Sequence, residues 1–475
     1  MSDTGMTRGT EQVPGPRSLA RGTEALVCRR GVRRRRRAAA VAAVLAVVML
    51  AGCVEKVETS SGGGSAGGTS PLAVIGGSNT GSGTVLSKYV GQKLSFGTVP
   101  AQTTKAGSGP PIKVGMINQE NTPLGSFPNL RLGADAAAKF INEELGGVNG
   151  TPMQIVPCIT TFSVEKSQAC AQQLVQEGVI AVTGGVDITS NGSMPVLEQN
   201  NMPYIGGIPI NFAEMRSPIS FQFSGGMAGA FVAFAKHASD NGAKKIVFAY
   251  ADYPPIKESA QMGIAVARKL GIPEVIEVPF PVTATDLLPT MTKAGESDPD
   301  AILVGAADTA CAPALKTAHD LKMRAQLYLV GSCLAPSVAQ QVGADAVEGK
   351  MFNIESPASA DAPEGQLYFD AAAKYGDPQL QAASEATIAF RDVMNIWMLL
   401  KELGAGNVST AALLAKVREA RDHPSFDGHP FTCDGKQMAQ FSAVCAPQQI
   451  IVQRKGESVV PLTSWVDVPN LVAGL

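Results

Sequence analysis

From Ile112 onward the chain alternates short β-rich runs with segments whose apolar residues recur at helical spacing. This alternation constrains its fold more than any other feature. Residues 112–117 read as a strand, and residues 130–145 as a helix stopped by Gly146-Gly147. The series continues with strand 153–157, helix 164–176, strand 179–183, helix 193–200 and strand 204–206. A second series follows Phe221-Gln222-Phe223: helices over 228–241, 257–270, 286–294 and 311–322 alternate with strands over 245–250, 275–278, 301–305 and 326–330. Helices over 364–375, 384–403 and 410–420 and a strand near 449–453 complete the pattern. Apolar strands with a helix on either side predict parallel sheets covered on both faces. Two doubly wound α/β lobes accommodate this many units better than one sheet, and ligands of such sheets collect at the carboxyl ends of the strands. Function is therefore expected in a cleft between the lobes.

The segment before this body has a different character. Residues 1–52 hold ten arginines, no lysine and three acids. Removing them from the chain's 39 basic and 41 acidic side chains leaves 29 against 38, an acidic body that repels phosphate backbones, so nucleic acid is not an expected partner. The basic block Arg33 to Arg37 precedes an apolar run over 38–50 and the small residues Ala51 and Gly52, the layout of an export signal. That run is too short to cross a bilayer. The ending Leu50-Ala51-Gly52-Cys53 resembles the lipobox of bacterial lipoproteins. That resemblance implies cleavage before Cys53, acylation of its thiol and anchoring on the outer face of the cytoplasmic membrane, stable because more than one acyl chain is attached. The stretch before Arg29 is long for a signal, so a translation start nearer Val27 or Val32 is expected. Residues 53–110, rich in Gly and Ser at their start, read as a flexible tether, with a local element within 85–96 left undecided.

The order of pieces from Ile112 to the C-terminus resembles the extracytoplasmic substrate-binding proteins of ABC importers, in particular the branched-chain amino acid type of the type I periplasmic binding protein family. The resemblance is carried by Ile112-Lys113-Val114-Gly115, by residues 133–150 closing on Gly146-Gly147-Val148-Asn149-Gly150, and by Cys158 with Cys170. Ile180-Ala181-Val182-Thr183-Gly184-Gly185, Asp300-Ala301-Ile302-Leu303-Val304-Gly305 and Glu348-Gly349 also carry it. It implies two Rossmann-like lobes joined by hinge crossings near Ser224, near Ser356 and in the C-terminal loops. Lobe one would comprise 111–225 and 357–442, and lobe two 226–356 and 443–475. In the family a ligand carboxylate is held by N–H groups and hydroxyls at a helix start, which places Thr189 and Ser190 at the site. Asp187 falls where a hydroxyl is expected; it would repel a carboxylate unless it caps the helix. Gly207 and Ile208 match a segment of backbone contacts, Phe127 an aromatic at the cleft mouth, and Tyr253 and Asp308 the wall of lobe two. An acid usual after strand 326–330 is replaced by Ser332-Cys333, so Asp308 is the remaining partner for a ligand ammonium.

Apart from Cys28 and Cys53, six cysteines remain, which admit fifteen connectivities. In an exported chain disulfides are the default. The local bridges Cys158–Cys170, which the family resemblance also favours, Cys311–Cys333 and Cys433–Cys445 are expected. No Cys-x-x-Cys pair suggests zinc, and His423, Asp427 and His429 in one short loop read as a polar loop rather than a metal centre. No nucleophile elbow, Walker loop or dinucleotide fingerprint follows a predicted strand. The expectation is a monomeric, non-enzymatic, cofactor-free lipoprotein that delivers an amino acid or related amide or carboxylate to an ABC permease. A ligand sensor or accessory lipoprotein of the same fold is the alternative.

Overall fold

The computed structural model describes residues 83–122, 125–357, 362–404 and 406–475; the signal segment, Cys53 and the start of the tether lie outside them. In the first lobe strand Ile112–Gln119 lies second in the sheet with a strand on either side, and its residues from Val114 to Gln119 are all buried. Both of its faces are covered, as the apolar stretch Val114 to Ile117 favours. Its sheet is entirely parallel, in the order Met153–Thr160, Ile112–Gln119, Ala181–Gly184, Tyr204–Ile205, Ser220–Phe221. The second lobe repeats this winding with Glu274–Phe280, Lys245–Ala251, Ala301–Gly305, Gln326–Leu329 and Met351–Ile354. It then adds Ile450–Lys455 and Ser458–Pro461 as antiparallel edge strands. Met351–Ile354 and Ser458–Pro461, four residues each, escape a reading of the sequence because neither lies in a strand–helix repeat of the two series. Their pairing comes from distant neighbours.

Each lobe has its own apolar core. Phe140, Phe390, Trp397 and Phe426 belong to the first; Phe231, Phe234, Phe248 and Phe352 belong to the second. Helix Pro128–Glu144 packs along helix Ala386–Leu403, which returns to the first lobe from late in the chain. The approach is so close at Gly133 that a Cβ there would lie 2.5 Å from the carbonyl oxygen of Ala386. Trp397 Nε1 donates to the Gly147 carbonyl at 2.7 Å and ties the returning helix to the turn after the first one. The chain crosses between the cores around Ser224, around Glu355 and Ser356, and between Val444 and Gln449. Gln222 and residues 443–445 exchange backbone hydrogen bonds there. Met438, Phe441 and Val444 belong to the second core whereas Cys445 and Ala446 belong to the first, so this stretch packs against both.

Disulfides join Cys158 to Cys170, Cys311 to Cys333 and Cys433 to Cys445. The second links the loops that follow strands Ala301–Gly305 and Gln326–Leu329.

The tether expected over 53–110 needs correction at its end. Residues 85–88 form a 3-10 turn and Lys93–Leu94 pairs with Gly97–Thr98 in a hairpin. Val85, Leu86, Tyr89, Leu94 and Val99 are buried in the first core, and Phe96 packs on Trp397 and Phe426. The apolar residues are too few and too irregular to read as an element, because their partners lie far along the chain. The clasp is Glu144, which accepts from the N–H groups of Val85 (2.7 Å) and Leu86 (2.8 Å), from Tyr375 Oη and from Lys374 Nζ (3.0 Å). Burial pushes this carboxyl up, but the donors outweigh it and hold the carboxyl below the usual range. Replacing Glu144 with Gln is expected to cost about 1.5–3 kcal/mol, the range for hydrogen bonds to a charged group, and to free residues 83–99 for protease cleavage. An unchanged melting midpoint and cleavage pattern would show that the clasp does not hold the segment.

Candidate ligand cleft

Both sheets reverse their winding order beside their first strand, and the carboxyl ends of the strands there open a crevice. A cavity of about 600 Å³ lies at these ends, within the size range of small-molecule sites. The first lobe contributes Phe127, Val186, Ile208 and Ile210; the second contributes Asp308, Ser332 and Leu334; Ser224 and Glu355 close it at the crossings. Apolar side chains dominate the wall. Helix Pro363–Tyr375 and the start of helix Ala386–Leu403 add Gln366, Phe369 and Glu385, and Asp427 enters from the loop beyond.

Of the residues the sequence singled out, Phe127, Ile208, Asp308 and Ser332 line this cavity, whereas Asp187, Thr189, Ser190, Gly207 and Tyr253 do not. The reasons are local. Asp187 is 1 % exposed and accepts from Ser167 Oγ (2.5 Å), Thr189 Oγ1 (3.0 Å), Thr189 N–H (3.2 Å) and Ser193 Oγ (3.2 Å). It organises its own loop, and the Thr189 hydroxyl is engaged in that work and with the Ser163 carbonyl. Ser190 Oγ is buried without a partner. Gly207 donates its N–H to Asp392 Oδ2 at 2.7 Å; it adopts φ +102°, and a Cβ there would meet Gly184 Cα at 2.8 Å. Tyr253 reaches from the second lobe to the first, with its hydroxyl 3.3 Å from the Ile188 carbonyl and its ring 6.2 Å from that of Phe162.

Asp308 also spans the cleft. Its carboxylate accepts from the N–H of Thr309 at 2.9 Å and from the N–H of Ser126 in the first lobe. Burial still pushes it up. Glu385 is pushed up to about 7 by burial, with the charge of Asp308 adding to the effect. Asp427 is 7 % exposed, is pushed up to about 8 by burial and by the neighbouring Glu364, and leaves Oδ1 without a partner. The sequence did not mark Glu385 and marked Asp427 only as a loop acid between two histidines, since each reaches the cleft on an element that follows both Rossmann-like series. The remaining acids on the wall are compensated: Glu355 pairs with Arg391 at 3.1 Å and Asp370 with Lys88 at 3.0 Å. Among the described lining residues there is no Lys, Arg or His.

The loop with His423, Asp427 and His429 does not converge. His423 Nδ1 lies 2.8 Å from the Pro424 carbonyl and its Nε2 3.1 Å from Glu402, while His429 Nδ1 lies 2.7 Å from the Pro430 carbonyl. No group of three potential metal ligands forms among the described residues.

The raised carboxyls set a pH dependence. Burial pushes Glu214 to about 8, alongside Glu385 and Asp427, from ordinary values of 4.5 for Glu and 3.8 for Asp. Between the ordinary and the raised values the folded chain keeps protons that the unfolded chain has released, so stability falls as pH rises through that window. His237, lowered by burial, opposes this below its ordinary value of 6.5, one group against these three and Asp392, which burial pushes up to about 7. The melting midpoint is expected to drop by several degrees between about pH 5 and about pH 8. A midpoint that is flat or rising over that interval would show these carboxyls to be ionised in the fold.

Comparison with known proteins agrees with this architecture. The family model described as periplasmic binding protein matches residues 111–445. A branched-chain amino acid ABC transporter protein from Thermus thermophilus with bound valine is 14% identical, with a TM-score of 0.64, covering 77% of this chain and 100% of that one. A solute-binding protein of an ABC transporter from Rhodopseudomonas palustris HaA2 in complex with p-hydroxybenzoic acid is 22% identical, with a TM-score of 0.63, covering 75% and 98%. A fatty acid ABC transporter substrate-binding protein from Thermomonospora curvata is 18% identical, with a TM-score of 0.62, covering 78% and 96%. No curated protein sequence matches the chain. With a family model covering most of its length and two lobes wound in the same order around one cleft, the chain belongs to the periplasmic binding protein family and has the type I fold.

Proposed function

We propose that this protein is a lipid-anchored solute-binding protein that captures a small organic metabolite between its lobes and presents it to an ABC importer. The observation that carries this reading is the cavity of about 600 Å³ whose walls come from both lobes at the carboxyl ends of their strands. Phe127, Ile208 and Ile210 form the apolar wall, and Asp308 and Ser332 supply polar contacts on the facing side. The lobes divide near the crossings at Ser224, at Glu355 and Ser356, and before Gln449, so closure about these strands buries the ligand and alters the face that a permease meets. The loops bearing Asp308 and Ser332 are held in fixed relation by the Cys311–Cys333 bridge. Nothing in this cycle breaks a covalent bond in the solute, and the protein acts as a monomer.

The arginine block, the apolar run and Leu50-Ala51-Gly52-Cys53 support export and anchoring. Among the described residues no helix is long and apolar enough to cross a membrane. Replacing Cys53 with Ala is expected to move the protein from the membrane to the soluble fraction or to leave uncleaved precursor. Mass spectrometry finding an unmodified mature chain that begins elsewhere refutes the anchor. Binding itself is read by a thermal-shift screen of metabolites, in which a true ligand at a hundredfold excess over its Kd stabilises the fold by about 2.7 kcal/mol. Absence of any shift across a panel spanning amino acids, amines, amides, carboxylates and sugars refutes solute binding.

A further inference from the structure

We propose that the solute taken by this cleft carries a positive charge on an apolar body, as an organic amine or ammonium does, and no free carboxylate. The inference rests on the solute-binding reading and narrows its ligand class. Its basis is a charge balance within the cavity. Five acidic side chains line the wall with no cationic side chain among the described lining residues; Glu355 and Asp370 have their own basic partners outside it, which leaves Asp308, Glu385 and Asp427. Asp427 is buried with Oδ1 unpartnered and borders the cavity, a position in which an acceptor is costly unless a donor arrives. Asp308 comes from the second lobe and Glu385 from the first, near enough that the charge of one acts on the other.

The rest of the wall leads to the same class. Of the first-lobe groups expected to receive an anion, the Thr189 hydroxyl is committed to Asp187 and the Ser163 carbonyl and the Gly207 N–H to Asp392, while the Ser190 hydroxyl is buried away from the cavity wall. An incoming carboxylate would meet three acids and no cation, whereas an ammonium group brings a counter-charge to all three and a donor to Asp427 Oδ1. The apolar surface of Phe127, Ile208, Ile210 and Leu334 suits an aliphatic or aromatic body. Valine and p-hydroxybenzoic acid, the ligands of two structural neighbours, both carry a carboxylate, so this chain would differ from them in ligand charge.

The test uses matched probes on the purified full chain in detergent, read by thermal shift and calorimetry. Isoamylamine, leucine and 4-methylpentanoate share an aliphatic body and differ in charge; 4-hydroxybenzylamine and 4-hydroxybenzoate do the same for an aromatic body. The expected result is binding of at least one amine, with its carboxylate counterpart, and leucine in the aliphatic set, weaker by roughly tenfold or more. Leucine or a carboxylate binding as tightly as the matched amine, or hits in the wider screen confined to uncharged or anionic molecules, overturns the charge inference and leaves solute binding standing. No hit of any class overturns both. Glu385→Gln and Asp427→Asn are then expected to weaken the bound amine roughly tenfold without changing the affinity of the alcohol of the same shape. Asp308→Asn reads out the same effect if either variant fails to fold. Equal loss for amine and alcohol in all three would show that the acids serve the fold alone and would reject the proposal.

Discussion

The two lobes depend on one buried carboxylate at the crossings between them. Glu355 Oε1 accepts from Ser224 Oγ at 2.6 Å and from Gln449 Nε2 at 2.8 Å, so a single side chain touches all three strands that pass from core to core. Its other oxygen meets Arg391 Nη2 at 3.1 Å, and its backbone carbonyl accepts from Nη1 of the same residue at 2.9 Å. Arg391 is 2 % exposed. Such a pair adds little net stability over an apolar replacement, but removing one partner leaves an uncompensated buried charge that costs about 3–5 kcal/mol. What the pair supplies is a definite geometry, because the guanidinium engages the side chain and the main chain of one residue at once. Asp392, next along the same helix, holds the Gly207 N–H. The network thus runs from the crossings into the loop bearing Ile208, on the cavity wall.

The shared winding order explains why the cavity lies where it does. Each lobe places its first strand second in the sheet, so each has its crevice at the same relative position, and the crossings set the crevices opposite one another. Loops at the carboxyl ends then carry the polar groups. Stiffening by the Cys311–Cys333 bridge keeps the Asp308 and Ser332 loops together while the strands beneath supply the core. Recognition therefore varies by loop chemistry without disturbing the sheets.

Much of this was legible in the sequence, for a physical reason. Elements stabilised by their own periodicity, such as helix Val164–Gln176 and strand Ala301–Gly305, have the same bounds as the apolar pattern suggests. Elements whose stability comes from remote partners were not legible: residues 85–99 need Glu144, Trp397 and Phe426, and Met351–Ile354 needs a strand nearly a hundred residues later. At the site the division is similar. Phe127, Ile208, Asp308 and Ser332 follow strands of the two series, where a loop residue has few places to go. Asp187, Thr189 and Gly207 follow them too, but hydrogen bonds to one another's neighbours turn them inward, and composition alone carries no sign of that. Glu385 and Asp427 join the wall through the returning chain, and helical spacing in their own segments says nothing about which cavity they face.

Closure of such a cleft is governed by what stands on its two lips. Asp308 in one lobe and Glu385 in the other are like charges whose mutual effect grows as the lobes approach and water leaves. With no cation between them, one must hold a proton or the approach costs Coulomb energy, and the N–H groups of Ser126 and Thr309 offset only part of that cost at Asp308. Tyr253 on Ile188 adds a neutral contact of the same reach that favours the approach. In the proposed binding cycle these repulsive and attractive contacts oppose one another across the cleft. A ligand that alters the charge between the lips would, in that cycle, favour whichever arrangement binds it more tightly, so that recognition and closure would be a single event.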